Sequence, residues 1–584
     1  MSSRRSVLAL AAAAVAFAAA DTYVVVLALP DMMAGIGLSI DELQRAAPIV
    51  SGFLLGYVAV LPLVGRVADL RGRLPVLVGS LVVFALGSLV TLAAYDLPSM
   101  VVGRFLQGVG GGGLVPATLA LVADLYPPQR RGLPLGVVGA VQEVGSVLGP
   151  LYGAAVLAFA PWQGIFALNV AAGLLLAAAL HALGRRDGTR GHGHSPVPRG
   201  AARDPVGWVA VVVALAALLL TMLQPAALAT RVTAGLLLVP LAGESRWTSP
   251  LAVLAALSLV VLVVRGFTAT RPVLDLRGWR AATATTDVLA AALLAGALGG
   301  VVLAFGTSQP EVQVLAAGGP WYLAGSVVLA GLFGIRNRRS PHPLVPHGTL
   351  RAMPAWGSLA VSLLIGAALI AALVDVPLFA RVTVHPDSQL GAALVLVRLL
   401  VALPVGALLG GWLVRRVPTG AVTAAGMALA ATGFVLMSGW GPTSVATPAA
   451  TLTLLATGLG FGLALAPVNA ALLASTADAV HGVASALLVV ARMVGMLVGI
   501  SALTAVGLRR YYAETVALPS PGDVCVVGTQ CPEYTVLLKE AGLAQLQTVF
   551  TGAAVCAALA GLLALVTLGA AGTVRPSAAR PPAP

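Results

Sequence analysis

The sequence predicts an all-α, polytopic membrane protein, and three observations carry that prediction. Of the 584 residues 59% are hydrophobic and only 9% charged, with a mean hydropathy of +0.97; no soluble domain of this size has that balance. Apolar runs long enough to cross a ~30 Å hydrocarbon core recur throughout the chain. The net charge of +13 sits in short segments between those runs, which reads as topology and not as a nucleic-acid surface.

Six spans are expected first, at about 7–29, 47–65, 75–94, 99–121, 133–157 and 163–183. The opening, Arg4-Arg5 followed by an alanine-rich run to Ala20, imitates a secretory signal, but the run continues through Asp21 to Pro30 and is long enough to span. A polar stretch from Gly184 to Asp204 holds five arginines and the His192 and His194 pair. Two histidines without further ligands make a poor metal site, so a solvated loop is expected and no metal. Spans at 206–223 and 250–267 follow, then a basic inner loop from Arg265 to Arg280, then runs at 282–305 and 320–335. The last six fall near 355–376, 390–413, 419–439, 449–470, 483–508 and 546–570.

That makes sixteen spans arranged as six, four and six, or fourteen if 282–335 lies along the membrane interface. The domains so defined are a six-helix bundle at 1–184, an inner loop at 185–205, linker helices at 206–351, and a second six-helix bundle at 352–584. With both termini inside, 24 of the 34 Lys and Arg fall in inner loops and tails, the bias expected of cytoplasmic segments.

The fifth run carries the most informative chemistry. Gly145, Gly149 and Gly153 fall on one helical stripe, and Pro150 sits within it; small residues four apart let another helix approach closely. Glu143 points about 120° away from that stripe. A carboxylate in hydrocarbon costs several kcal/mol unless paired, protonated or wetted, so the other side faces a polar interior. The pattern repeats as Gly495 and Gly499 in the fifth span of the second block, with Arg492 at almost the depth of Glu143. The two groups form either a proton-sensitive lock or a permanent structural pair. Asp21, about two-thirds of the way outward in the first span, is either a proton-binding carboxylate or a buried acid capped by hydroxyls such as Thr22. Asp375 is a second titratable group or a solvated boundary acid, and Arg398 has no obvious partner.

The order of motifs over the first 170 residues resembles the Major Facilitator Superfamily, in its multidrug proton-antiporter branch with extra central helices. The residues that carry this are Asp21 to Pro30, Gly65 to Arg73, Arg104 to Gly110, Gly145 to Gly153, and Trp162 to Asn169. The resemblance implies a fold of two six-helix bundles with about four linker helices between them. It also implies an inner gate at Gly65, Arg66, Asp69, Arg71, Gly72 and Arg73, where the carboxylate meets a helix N-terminus and arginines across the interface. Arg104 is implied to take part in proton coupling, against a structural role as donor to helix ends.

Asp21 to Val26, Ala140 to Gly153, Leu373 to Val376, Ala402 to Gly406 and Val489 to Met493 are similar to the mycobacterial members that export triacylglycerides with a partner lipoprotein. That likeness implies outer-side helical projections, here about 509–545. Cys525 and Cys531 share that outer loop and form a short disulfide in an oxidising compartment or remain two free thiols.

The reading is therefore a proton-coupled exporter of apolar lipids in a bacterial inner membrane. It is expected to act as a monomer, with membrane lipids, protons and an outer-surface lipoprotein as partners and no cofactor. Broad drug efflux, with its antibiotic-resistance phenotype, is the first rival, and a non-transporting receptor or scaffold the second. No phosphate-binding loop, nucleic-acid patch or catalytic constellation is found, so an enzyme is not expected.

Overall fold

The computed structural model describes residues 2–38, 43–127, 130–186, 204–243, 245–270, 272–284, 286–306, 318–386, 388–520, 524–525 and 531–569. The expected inner loop with His192 and His194 lies outside these residues, as does the C-terminal tail. The first six helices are α1 (Ser2–Gly35), α2 (Leu43–Arg71), α3 (Arg73–Leu92), α4 (Leu97–Leu125), α5 (Gly132–Phe159) and α6 (Gln163–Arg186). The central elements are α7 (Pro205–Leu223), α8 (Pro250–Thr268), α9 (Leu276–Ala284), α10 (Val288–Gly306) and α11 (Gly319–Arg339). The last six are α12 (Met353–Thr383), α13 (Gln389–Leu413), α14 (Thr419–Ser438), α15 (Pro448–Ser475), α16 (His481–Ala517) and α17 (Pro532–Leu568).

Thirteen helices among the described residues are long and apolar enough to cross a membrane; α1, α5 and α11 have comparable lengths of 34, 28 and 21 residues. Helices are the expected answer in lipid, where every backbone group must bond within its own segment. Several of their N-termini are closed by short polar side chains. Asp96 accepts from Ser99 N at 2.9 Å in a reciprocal capping box, and Ser249 and Thr447 cap α8 and α15.

Packing shows an internal repeat. In the first block α3 packs on α4, α2 on α4, α1 on α5 and α3 on α6. The same four pairings recur in the second block: α14 on α15, α13 on α15, α12 on α16 and α14 on α17. The blocks meet reciprocally, α5 on α13 and α2 on α16, as two related halves facing each other should. The glycine stripes explain the close pairs. A Cβ on Gly145 or Gly149 would overlap the carbonyl oxygens of Ala16 and Ala20, and one on Gly153 would lie 2.6 Å from Val24. In the second block Gly495 and Gly499 press on Leu363 and Ala367 of α12 in the same way.

The central helices form two hairpins, α7 with α8 and α10 with α11. Each is closed by one ion pair at matching positions, Arg265 to Asp204 and Arg336 to Asp287, both at 2.7 Å. Residues 288–306 and 319–339 thus pair as an antiparallel hairpin on α2, not as a single surface segment. The basic stretch after α8, expected to be a loop, contains the amphipathic helix α9; its nine residues, with Leu276 and Trp279 as the only large apolar side chains, leave no hydropathy signal for it. Helices α16 and α17 have 37 residues each, or ~55 Å at 1.5 Å per residue, well beyond the ~30 Å hydrocarbon core.

Candidate functional site

Three polar groupings interrupt the apolar interior. The first lies wholly within the first block. Asp21 of α1 and Arg104 of α4 are each 1% exposed, and Arg104 Nη1 donates to Asp21 Oδ2 at 2.9 Å. Asn169 of α6 donates its amide to the other carboxylate oxygen. Arg104 also donates to Gln107, whose amide donates to Ser88 Oγ at 3.0 Å. The guanidinium lies over the Phe53 ring, 4.5 Å from its centroid. Here burial of a charge is tolerable because each partner is charged or hydrogen-bonded. Asp21 therefore meets an arginine 83 positions along the chain, in its own block and away from the central cavity. The sequence left Asp21 as a proton-binding carboxylate or a buried acid capped by hydroxyls, and treated Gln107 and Asn169 only as parts of motifs. Their signal was available: uncharged polar residues inside otherwise apolar spans.

The second grouping is a small cavity between the blocks. Its apolar wall includes Val115, Leu119, Val138, Leu465, Val489 and Met493. Its polar lining is Gln142 and Glu143 from α5, Asn469 from α15 and Arg492 from α16. Glu143 is 8% exposed, and the pair interact electrostatically. No ion pair within 4.0 Å joins them, and the buried Arg492 Nε has no hydrogen-bond partner. Tyr57 of α2 lies within electrostatic reach of the same guanidinium. The cavity thus joins a carboxylate and a guanidinium from opposite halves, as their matching depth in α5 and α16 predicts.

The third grouping seals one face of the seam, the face that carries the α2–α3 turn. That turn needs Gly72, whose φ is +91°. Gly65 of α2 packs directly on Gly482 of α16, where a Cβ on Gly65 would lie 2.5 Å from the Gly482 oxygen. Asp69 caps the start of α16, accepting from Gly482 N at 2.8 Å and Val483 N at 3.1 Å; a carboxylate there also meets the positive end of the helix dipole. Arg73 lies 3.4 Å from Asp69 and donates to the Asp478 carbonyl at 3.2 Å, and its Nε is 3.2 Å from Asp124. Arg131 reaches the Asp478 carboxylate at 3.5 Å. Asp124, Arg131 and Asp478 were not anticipated as gate residues.

One of the expected gate arginines, Arg71, points elsewhere, while Arg66 stays within electrostatic reach of Asp69. Arg71 turns away from the seam to Asp275 at 2.6 Å and lies 4.8 Å over Trp279 of α9. Arg66 has a buried Nε without a hydrogen-bond partner. Elsewhere, Arg398 has partners after all, the Val445 carbonyl at 3.1 Å and Thr451 Oγ1 at 2.9 Å. Asp375 is buried, 6% exposed, and not at a solvated boundary. Cys525 and Cys531 are joined by a disulfide beyond the end of α16. No cluster of metal-binding side chains occurs among the described residues.

Comparison with known proteins places these features in a family. Residues 11–336 match the model of the Major Facilitator Superfamily. The chain is 34% identical to the triacylglyceride transporter of Mycolicibacterium smegmatis, over 95% of this chain and 86% of that one. It is 34% identical to the triacylglyceride transporter of Mycobacteroides abscessus, over 86% and 82% of the two chains. The fold is like that of the human organic anion transporter MFSD10, with a TM-score of 0.53 at 15% identity, covering 96% of this chain and 99% of that one. It is also like the proton:xylose symporter XylE, with a TM-score of 0.50 at 14% identity over 96% and 95%. With its repeated six-helix packing and its gate motif in place, the chain belongs to the Major Facilitator Superfamily of membrane transporters.

Proposed function

We propose that this chain exports apolar lipids of the triacylglyceride class across a bacterial cytoplasmic membrane, coupled to protons, by alternating access. The observation that carries the reading is Glu143 and Arg492 sharing one small cavity from opposite halves without pairing. Burial raises a carboxyl's proton affinity and a nearby guanidinium lowers it. Rocking of residues 1–184 against 352–584, with 206–351 as linker, changes that separation and so changes proton occupancy. Asp21 and Arg104 form a second proton-sensitive pair that fixes α1 to α4.

The apolar lining suits acyl chains better than sugars or amino acids, and the names of the similar mycobacterial proteins favour lipid over general drug efflux. The gate face lies in the cytoplasm with both termini, in keeping with the positive charge of its loops. The chain acts as a monomer. Its α16–α17 extension, about 509–545, hands cargo to an outer-surface lipoprotein. Reconstitution in vesicles with labelled triolein and an imposed pH gradient tests the reading: wild type releases lipid in a gradient-dependent manner, and Glu143→Gln does not. Unchanged release by Glu143→Gln refutes the coupling role.

A further inference from the structure

The cavity holds polar groups that proton coupling does not use. Gln142 lines it beside Glu143, and beyond the main-chain bonds of its helix its one hydrogen bond is to the carbonyl, which accepts from Ser146 Oγ. Its side-chain amide has no hydrogen-bond partner among the described residues. Asn469 lines the same cavity from α15; it donates one N–H to the Leu465 carbonyl at 2.8 Å, which leaves its second N–H and its oxygen free for a ligand. Neither amide is walled off: Gln142 is half-buried, and both side chains line the cavity, where water or a ligand can meet their unused hydrogen-bonding groups.

The chemistry of the missing partner can be read from the donors. A primary amide offers N–H groups to an acceptor and carries no charge. An ester carbonyl is such an acceptor, and a neutral acylglycerol brings carbonyls without donors or charge. A phosphodiester instead brings an anion that Arg492 attracts and Glu143 repels, so its charge finds no surplus cation in a cavity that already holds one group of each sign. A plain hydrocarbon leaves the amides unsatisfied.

We propose that Gln142 and Asn469 are the ester-recognising pair of the cavity. Gln142 donates to an acyl ester carbonyl from one half and Asn469 engages the glycerol ester region from the other. The acyl chains lie on Val115, Leu119, Val138 and Val489. A ligand held this way bridges the seam, so it is sensed by both halves as they rock. The inference rests on the reading of this cavity as the lipid site and adds how ester is told from hydrocarbon.

The test is equilibrium binding to the purified full-length chain in nanodiscs, with triolein, squalene and dioleoyl phosphatidylglycerol as probes. The variant is Gln142→Met, which keeps an unbranched side chain of similar length and breaks no side-chain hydrogen bond. Triolein binding is expected to weaken about 5–10-fold, the range for one lost buried hydrogen bond, with squalene binding unchanged. Equal loss for both probes, or no loss for either, overturns the ester role while leaving lipid transport intact. Tighter binding of phosphatidylglycerol than of triolein by wild type also overturns it. Failure of wild type to bind triolein or squalene at all defeats the transport reading together with this one.

Discussion

Glu143 and Arg492 look into one cavity from opposite halves of the molecule and stop short of an ion pair, with no N–O distance within 4.0 Å between them. A carboxylate so placed holds a proton according to how near the guanidinium comes. Glu143→Gln fixes the neutral form at nearly constant shape. It is expected to abolish lipid-driven proton movement, at least about 10-fold, and to flatten the pH profile of transport. A pH-sensitive dye inside proteoliposomes reads both effects. A variant that keeps the wild-type pH profile removes Glu143 from the coupling mechanism.

Asp21 and Arg104 make a contrasting pair, fully buried and closely bonded at 2.9 Å. Asp21→Ala leaves a buried guanidinium with its charge uncompensated, at a cost of roughly 3–5 kcal/mol. The expected result is low yield and a clear drop in apparent melting temperature in detergent. Adding Arg104→Met removes the stranded charge, so the double variant should be more stable than Asp21→Ala alone. Additive losses in the double variant would show that the two side chains do not depend on each other.

What was legible in the sequence follows from what the bilayer enforces. Hydrocarbon demands long apolar helices and makes each intramembrane charge conspicuous, so the spans, Glu143 and Arg492 stood out without any structure. The glycine stripe of α5 announced its close neighbour but not which helix that was; only the fold assigns it to Ala16 and Ala20 of α1. Partnerships across long separations left no trace. Arg71 finds Asp275, 204 positions away, because α9 folds back onto the end of α2, and no local pattern encodes that. Arg398 looked unpaired because its partners are a main-chain carbonyl and a hydroxyl, which composition does not mark as counter-charges.

The glycine contacts give a graded prediction. A Cβ on Gly149 would overlap the Ala20 carbonyl oxygen, whereas one on Gly139 of the same helix meets nothing nearer than the Ala407 Cβ at 3.9 Å. Gly139→Ala should therefore stay within about 0.5 kcal/mol of wild type. Gly149→Val must force α1 and α5 apart, and folded yield should collapse. Size-exclusion profiles and thermal shifts of the two proteins separate these outcomes. Equal behaviour would mean that α1 and α5 do not pack as closely as described.

Asp69 joins the two blocks at the face of the seam that carries the α2–α3 turn. It is the acceptor for two main-chain N–H groups at the start of α16, and these bonds tie the two blocks together. Hydrogen bonds to a charged acceptor are worth roughly 1.5–3 kcal/mol each. Even a combined loss of only ~2 kcal/mol in Asp69→Ala shifts the equilibrium away from the gate-closed state about 30-fold. Spin labels at Arg130→Cys and Ala479→Cys, both exposed beside the gate, report the separation of the halves there. In the Asp69→Ala background their distance distribution should gain a longer component. Asp69→Glu moves the carboxylate along the helix axis and should give an intermediate shift. If both variants keep the wild-type distribution, the Gly65–Gly482 contact holds the gate and the carboxylate is incidental to it.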